Sequence, residues 1–227
     1  MKETSKKTLL ITGASSGIGK ATATIAIENG WQVALLARSK DKLEALVQEL
    51  GANSRCYECD VASWDSVSSA TQKAIQDFGS LDAVFANAGR GIGPGGFTGG
   101  DPSDWKDLVN VNILGVMYTI RASADALKKS KGRLVLTSSI AGRRILKGSV
   151  YGSTKWAVSG IGYNAREEFA EHGVGVTLIE PGMVDTAFFD DAKPDALRAR
   201  DVAETVWFAL SRPSNVAIHE LQILPMA

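Results

Sequence analysis

Apolar runs alternate with segments of helical period along the whole chain. Thr8 to Ile11 is a short, largely apolar run, and Ile18 to Asn29 then spaces its apolar residues as a helix does before Gly30. The alternation continues with Trp31 to Ala37 and Lys40 to Leu50, then Arg55 to Glu58 and Trp64 to Phe78. Leu81 to Ala86 leads to a long helical segment that Asp101 and Pro102 open and that reaches about Lys129. Asp suits a helix N-cap and Pro the first helical position. Gly132 to Ser138 precedes a helix from Tyr151 to His172, and Val174 to Glu180 precedes one from Asp201 to Leu210. Ala217 to Leu224 is a last strand. The strand segments are nearly continuous apolar runs, as strands buried on both faces are. The pattern predicts an α/β fold: one domain over residues 1–227 with a parallel sheet of about seven strands under helices on both sides.

Charge and cysteine usage narrow the function. Lys and Arg number 25 and so do Asp and Glu, so the formal charge is zero. A nucleic-acid or membrane-surface protein usually carries a basic excess, so neither partner is expected. The apolar run after the polar residues 1–8 is too short for a signal-peptide core or a membrane span, which predicts a cytoplasmic protein. Cys56 and Cys59 stand as C-x-x-C with no second pair for a zinc ribbon, and they lie on a strand rather than at a helix start. They are read as structural. With only His172 and His219 as imidazoles, no metal site is expected.

Three places carry chemistry. The first strand ends in Thr12-Gly13-Ala14-Ser15-Ser16-Gly17-Ile18-Gly19 and enters a helix directly. Glycines there let a backbone approach a pyrophosphate, and a helix N-terminus stabilises its charge. Tyr151 and Lys155 stand four apart on one helix face, so the ammonium can lie beneath the phenol and lower its pKa. Arg38 follows the second strand, where an acidic residue would bind a ribose and an arginine instead suits a 2′-phosphate. Ser39 and Lys42 are its possible assistants. The basic run Arg143, Arg144 and Lys147 is either an anchor for an acidic substrate or a solvated loop.

These segments resemble, in order, the classical short-chain dehydrogenases/reductases: the glycine turn, Asn87-Ala88-Gly89, Asn112-Ile113-Leu114-Gly115, Ser139 with Tyr151-Gly152-Ser153-Thr154-Lys155, and Pro181-Gly182 with Thr186. The resemblance spans essentially the whole chain and implies a Rossmann-type doubly wound sheet. It also implies an NADP(H)-dependent oxidoreductase that moves a hydride between nicotinamide and a small carbonyl or alcohol substrate. Tyr151 would be the general acid/base and Ser139 the donor to the substrate oxygen, with Ser138 as the adjacent alternative. Lys155 would tune Tyr151 and hold the nicotinamide ribose. Asn112, rather than Asn110, would bind a water that links Lys155 to solvent. Cofactor contacts would come from Gly13, Ser15, Ser16, Gly17, Ile18, Gly19, Arg38, Asp60, Val61, Asn87, Ala88, Gly89, Tyr151, Lys155, Pro181, Gly182 and Thr186. Arg90 to Phe97, Ile140 and Met183 to Phe189 would line the substrate space, with a small capping segment around 183–200. A homo-oligomer, tetramer or dimer, is implied through the helices that begin near Pro102 and Tyr151; Trp156, Val158, Ile161 and Tyr163 give the second one apolar residues on more than one side. The competing readings are a dinucleotide sensor without catalysis, which has no need of Tyr151, and a nucleotide-sugar epimerase, which needs more chain after Gly182 than is present.

Overall fold

The computed structural model describes residues 6–188, 191 and 193–226. Its strands are β1 (Thr8–Thr12), β2 (Gln32–Ala37), β3 (Ser54–Glu58), β4 (Ala83–Ala86), β5 (Arg133–Thr137), β6 (Gly175–Pro181), β7 (Val184–Asp185), β8 (Leu197–Arg198) and β9 (Glu220–Ile223). The helices are α1 (Gly17–Glu28), α2 (Lys40–Leu50), α3 (Trp64–Phe78), α4 (Gly96–Gly99), α5 (Pro102–Val109), α6 (Gly115–Ser130), α7 (Val150–Ala170) and α8 (Ala199–Leu210). The main sheet has seven strands in the order β3-β2-β1-β4-β5-β6-β9, and every neighbouring pair is parallel. This is the single Rossmann-like domain that the apolar pattern predicts.

The inner strands β1, β2, β4, β5 and β6 are buried on both faces, which is why they show no polar alternation, whereas the edge strands β3 and β9 are partly exposed. Leu10, Leu36, Val84 and Leu134 face one way and pack with Val67 and Ala74 of α3, Leu127 of α6 and Val158 and Phe169 of α7. Leu9, Ile11, Leu35 and Val135 face the other way and meet Ala23 of α1, Leu43 of α2 and Val202 and Val206 of α8. Successive strand residues point to opposite faces, so each strand feeds both layers.

Two departures from a simple alternation bear on the site. The long segment opened by Asp101 is helical to Ser130 but not uniform: α5 and α6 are joined by a π turn over Asn110–Leu114. Asp101 caps the start by accepting from Ser103 N at 2.8 Å, with Pro102 in the first turn. Between β6 and α8, the excursion is closed at its base where β7 pairs with β8 and Leu197 N donates to Met183 O at 3.0 Å.

Candidate active site

A cleft of ≈ 1340 Å³ opens along the carboxyl ends of the parallel strands. That position follows from the topology: β1 and β4 are adjacent, but their connections leave on opposite sides and part there. One end is built from backbone. Gly13 has φ +67°, and a Cβ on it would lie 2.9 Å from Ala88 Cα. A Cβ on Gly19 would lie 2.3 Å from Gly13 O, so α1 packs against the turn only because both positions are glycine. Ser16, which caps α1, makes no side-chain bond to the helix, and no acidic residue lies in its first turn. The first amides of α1 thus open on this end of the cleft beside Ser15, Ser16, Gly17 and Ile18. Such a cradle fits a pyrophosphate.

Asn87 makes this end rigid. Its Nδ2 donates to Thr12 O at 3.2 Å and to Gly13 O at 3.4 Å, and its Oδ1 accepts from Thr137 Oγ1 at 3.2 Å. One side chain therefore ties the ends of β1, β4 and β5. Arg38 and Ser39 are exposed on the rim, next to Asp60 and Val61, whereas Lys42 does not reach the cleft. Asp60 Oδ1 is engaged by Ala62 N at 3.0 Å. Nearby, Cys56 and Cys59 are free thiols. Burial pushes the Cys59 thiol up to about 11, the reverse of a reactive thiolate.

Tyr151 lies in the first turn of α7, whose cap Ser149 accepts from Gly152 N at 2.9 Å. The Ser139 hydroxyl lies beside the Tyr151 phenol and opposes the rise of its pKa. Ser139 ends the strand segment, accepts from Ala141 N at 3.1 Å and donates to Pro181 O at 3.4 Å. Its neighbour Ser138 is committed elsewhere, to Lys155 O at 3.1 Å and Ser159 Oγ at 2.9 Å. Geometry thus separates the two serines: Ser139 is the one that meets the phenol.

Lys155 is 4% exposed, and its Nζ donates to Thr137 O at 2.8 Å and lies 5.7 Å from the Tyr151 ring centre. Burial pushes this ammonium down to about 8. Burial also pushes the Tyr151 phenol up to about 12, opposed by the nearby Ser139 hydroxyl. The Lys155 ammonium is engaged with the Thr137 carbonyl. Asn112 lies behind the wall, 1% exposed, in the π turn. Its Oδ1 accepts from Arg90 N at 2.8 Å, and its Nδ2 donates to Arg90 O at 3.0 Å and Thr154 Oγ1 at 3.1 Å. Asn112 and Lys155 both approach Gly89: a Cβ there would lie 3.4 Å from Asn112 Oδ1 and 3.6 Å from Lys155 Nζ.

Of the other residues expected from the sequence, Ala88, Pro181, Gly182 and Thr186 line the cleft, as do Arg90 to Phe97, Ile140 and several residues from Met183 to Phe188. Gly19 does not; it is buried under the turn. Phe189 lies outside the described residues. Trp105, Leu146 and Gly148 also line the cleft and were missed. They come from α5 and from the loop before α7, whose composition marks them only as helix surface and loop. Of the basic run, Lys147 lines the cleft. Arg143 is neither substrate anchor nor solvated: its Nε donates to Glu180 Oε1 at 2.6 Å, and it also pairs with Glu220. Glu180 is completely buried, and its second oxygen accepts from Gln222 Nε2 at 3.1 Å.

The family model for short chain dehydrogenases matches residues 7–196. The chain belongs to that family. An uncharacterized oxidoreductase of Staphylococcus aureus (strain MW2) is 37% identical over 226 residues, which cover 97% of each chain. An alcohol dehydrogenase of the archaeon Thermococcus sibiricus, solved with 5-hydroxy-NADP, superposes with a TM-score of 0.89 at 32% identity, covering 97% of each chain. A 3-ketoacyl-(acyl-carrier-protein) reductase of Brucella melitensis, solved with NADH, gives a TM-score of 0.88 at 25% identity over 96% of each chain. No helix among the described residues is long and apolar enough to cross a membrane.

Proposed function

We propose that this protein is an NADP(H)-dependent oxidoreductase that interconverts a small carbonyl compound and its alcohol. The observation that carries the reading is that Ser139, Tyr151 and Lys155 line one cleft whose other end is a glycine cradle at a helix start. A sensor would need the cradle but not a buried phenol beside a serine. When bound, the dinucleotide supplies or takes up the hydride. Gly13, Gly17 and the first amides of α1 would hold its pyrophosphate, and Lys155 would hold its sugar. Ser139 donates to the substrate oxygen and stabilises charge as it develops there. Tyr151 moves the proton. The Tyr151 phenol, raised by burial, is protonated at neutral pH and can donate to a carbonyl oxygen.

Arg38 supports NADP(H) over NAD(H). It is exposed at the rim beside Ser39, where a 2′-phosphate can meet both. The Thermococcus sibiricus enzyme was solved with an NADP derivative and the Brucella melitensis reductase with NADH, so the family uses both cofactors and the choice belongs to local residues such as this one. For assembly we propose a tetramer or dimer through α6 and α7, on which Met117 is 48% and Trp156 49% exposed. Val158 is instead core, while Ile161 and Tyr163 are half-buried.

Tyr151→Phe tests the reading. Turnover of a carbonyl substrate should fall by ~10²–10⁴-fold while NADPH still binds, because a general acid contributes about that much. Full turnover by this variant would remove Tyr151 from the mechanism.

A further inference from the structure

The cleft is chemically uneven, and its far end is apolar. Beyond Tyr151 the walls come from the loop after β4, the loop before α7 and the segment after β6. Phe97, Trp105, Leu146, Met183 and Phe188 line this end. Phe97 is 56% exposed, Leu146 48%, Met183 50% and Phe188 42%. Large apolar side chains left open inside a concave site mark where an apolar ligand is covered. Phe188 connects this wall to the reacting group. Its ring stands edge-on to Tyr151 at 5.8 Å, and a Cβ on Gly91 would lie 3.1 Å from it. It spans from the loop after β4 to the phenol.

The charged residues point the same way. Arg90 faces Asp104 at 3.6 Å and Asp107 at 3.5 Å, and its Nε donates to Gly91 O. Arg143 is turned away to Glu180 and Glu220. Lys155 is held by Thr137 O. Asp101 is occupied in capping α5. Lys147 remains on the lining, but it stands on an exposed loop where water screens it. A carboxylate drawn in against Phe188 and Leu146 would lose its hydration and find no buried cation there to replace it.

We propose that this end of the cleft takes a neutral, apolar carbonyl compound, a straight-chain alkyl or aryl ketone or aldehyde, whose oxygen meets Tyr151 and Ser139 and whose hydrocarbon part lies against Phe188 and Leu146. The inference rests on the proton-transfer reading of Tyr151 and adds the substrate class. In the reaction, the carbonyl carbon gains a hydride from the reduced dinucleotide and the oxygen gains the Tyr151 proton. C=O becomes CH–OH, the dinucleotide is oxidised, and Tyr151 recovers its proton from solvent.

The test compares kcat/KM with NADPH for 2-alkanones and n-alkanals of four to ten carbons with that for keto acids and aldehyde acids of matched length. One such pair is hexan-2-one against 4-oxopentanoate. The expected result is a rise of about 4-fold per added methylene until the wall is covered. Each carboxylate should be at least about 100-fold poorer than its neutral match. Phe188→Ala should flatten the chain-length slope through KM while NADPH, followed by its fluorescence, still binds. Equal or better turnover of the acids, a flat slope in the wild type, an unchanged slope in Phe188→Ala, or no turnover of any neutral member would each overturn the proposal. Tyr151→Phe on the best neutral substrate separates the two readings: full activity there overturns the role of Tyr151, whatever the substrate class.

Discussion

The two ends of the cleft are built on different principles. The end at β1 and α1 is made of main chain: two glycines admit no side chain, the helix start is uncapped, and Asn87 bolts three strand ends together. The end beyond Tyr151 is made of side chains carried on loops and on α5, and its large apolar groups are open to solvent. The difference separates what a fold must keep from what it can vary. On the proposed reading, the first end takes a group common to many reactions, and its shape is held by positions where nothing else fits. The second would take one substrate, and its shape is carried on segments that can change without disturbing the sheet.

Three experiments strain this contrast, beginning with the largest effect. Ser139 belongs to neither end, and the turn that carries it is held by Arg143 on the buried Glu180. Arg143→Met leaves that carboxylate uncompensated and should cost about 3–5 kcal/mol in denaturant unfolding. That corresponds to roughly 6–20 °C in Tm for a chain of this size. Adding Glu180→Met should restore most of the loss, since removing both charges removes the stranded one. A single variant as stable as the wild type would show that the turn is held by its backbone alone.

The next effect comes from Lys155, whose ammonium burial holds down to about 8. An unfolded lysine titrates near ~10.4, so between these values the unfolded chain binds more protons than the folded one. Wild-type stability therefore gains from this group as pH rises from about 8 to 10.5, and the gain is absent below that window. Lys155→Met lacks the group, so its stability relative to wild type should fall across the window by about 3 kcal/mol, read as paired Tm values. A constant difference from pH 7 to 10.5 would mean that Lys155 is not desolvated as its burial implies. The smallest effect concerns Arg38. Hydrogen bonds to charged groups are worth roughly 1.5–3 kcal/mol, so Arg38→Asp should shift the NADPH/NADH ratio of kcat/KM by about 10- to 150-fold toward NADH. A ratio that does not move would make Arg38 a rim residue only.

The sheet and the first end were legible because they rest on patterns that sequence records directly. The uninterrupted run from Leu9 to Ile11, closed by a glycine turn, reads as a strand covered on both sides, and Gly13 and Gly19 stand where close approach demands them. Strand and helix limits shifted by one to three residues: Tyr151 lies one residue inside α7, and the last strand, expected from Ala217, begins at Glu220. What was not legible depends on contacts far apart in the chain. Arg143 reads as a loop cation until Glu180 and Glu220 come beside it, across separations that no local pattern records. The preference for Ser139 over Ser138 came from resemblance alone; that Ser159 occupies the Ser138 hydroxyl is a contact no local pattern records. Trp105 and Leu146 gave no signal, because an apolar residue on a helix or loop is common on any surface.

The π turn at Asn110–Leu114 has a consequence for the length of the chain. A π turn closes one residue later than an α turn, so the rod from Pro102 to Ser130 holds one residue more than a regular helix over the same rise. Deleting that residue would regularise the backbone hydrogen bonds and leave both halves of the rod in place, while the residues inside the turn change face. Asn112 would then no longer face both Arg90 and Thr154. The helix is thus held one residue away from its most regular form, and a search for stabilising deletions would be drawn to the one place where stability and the site ask for different lengths.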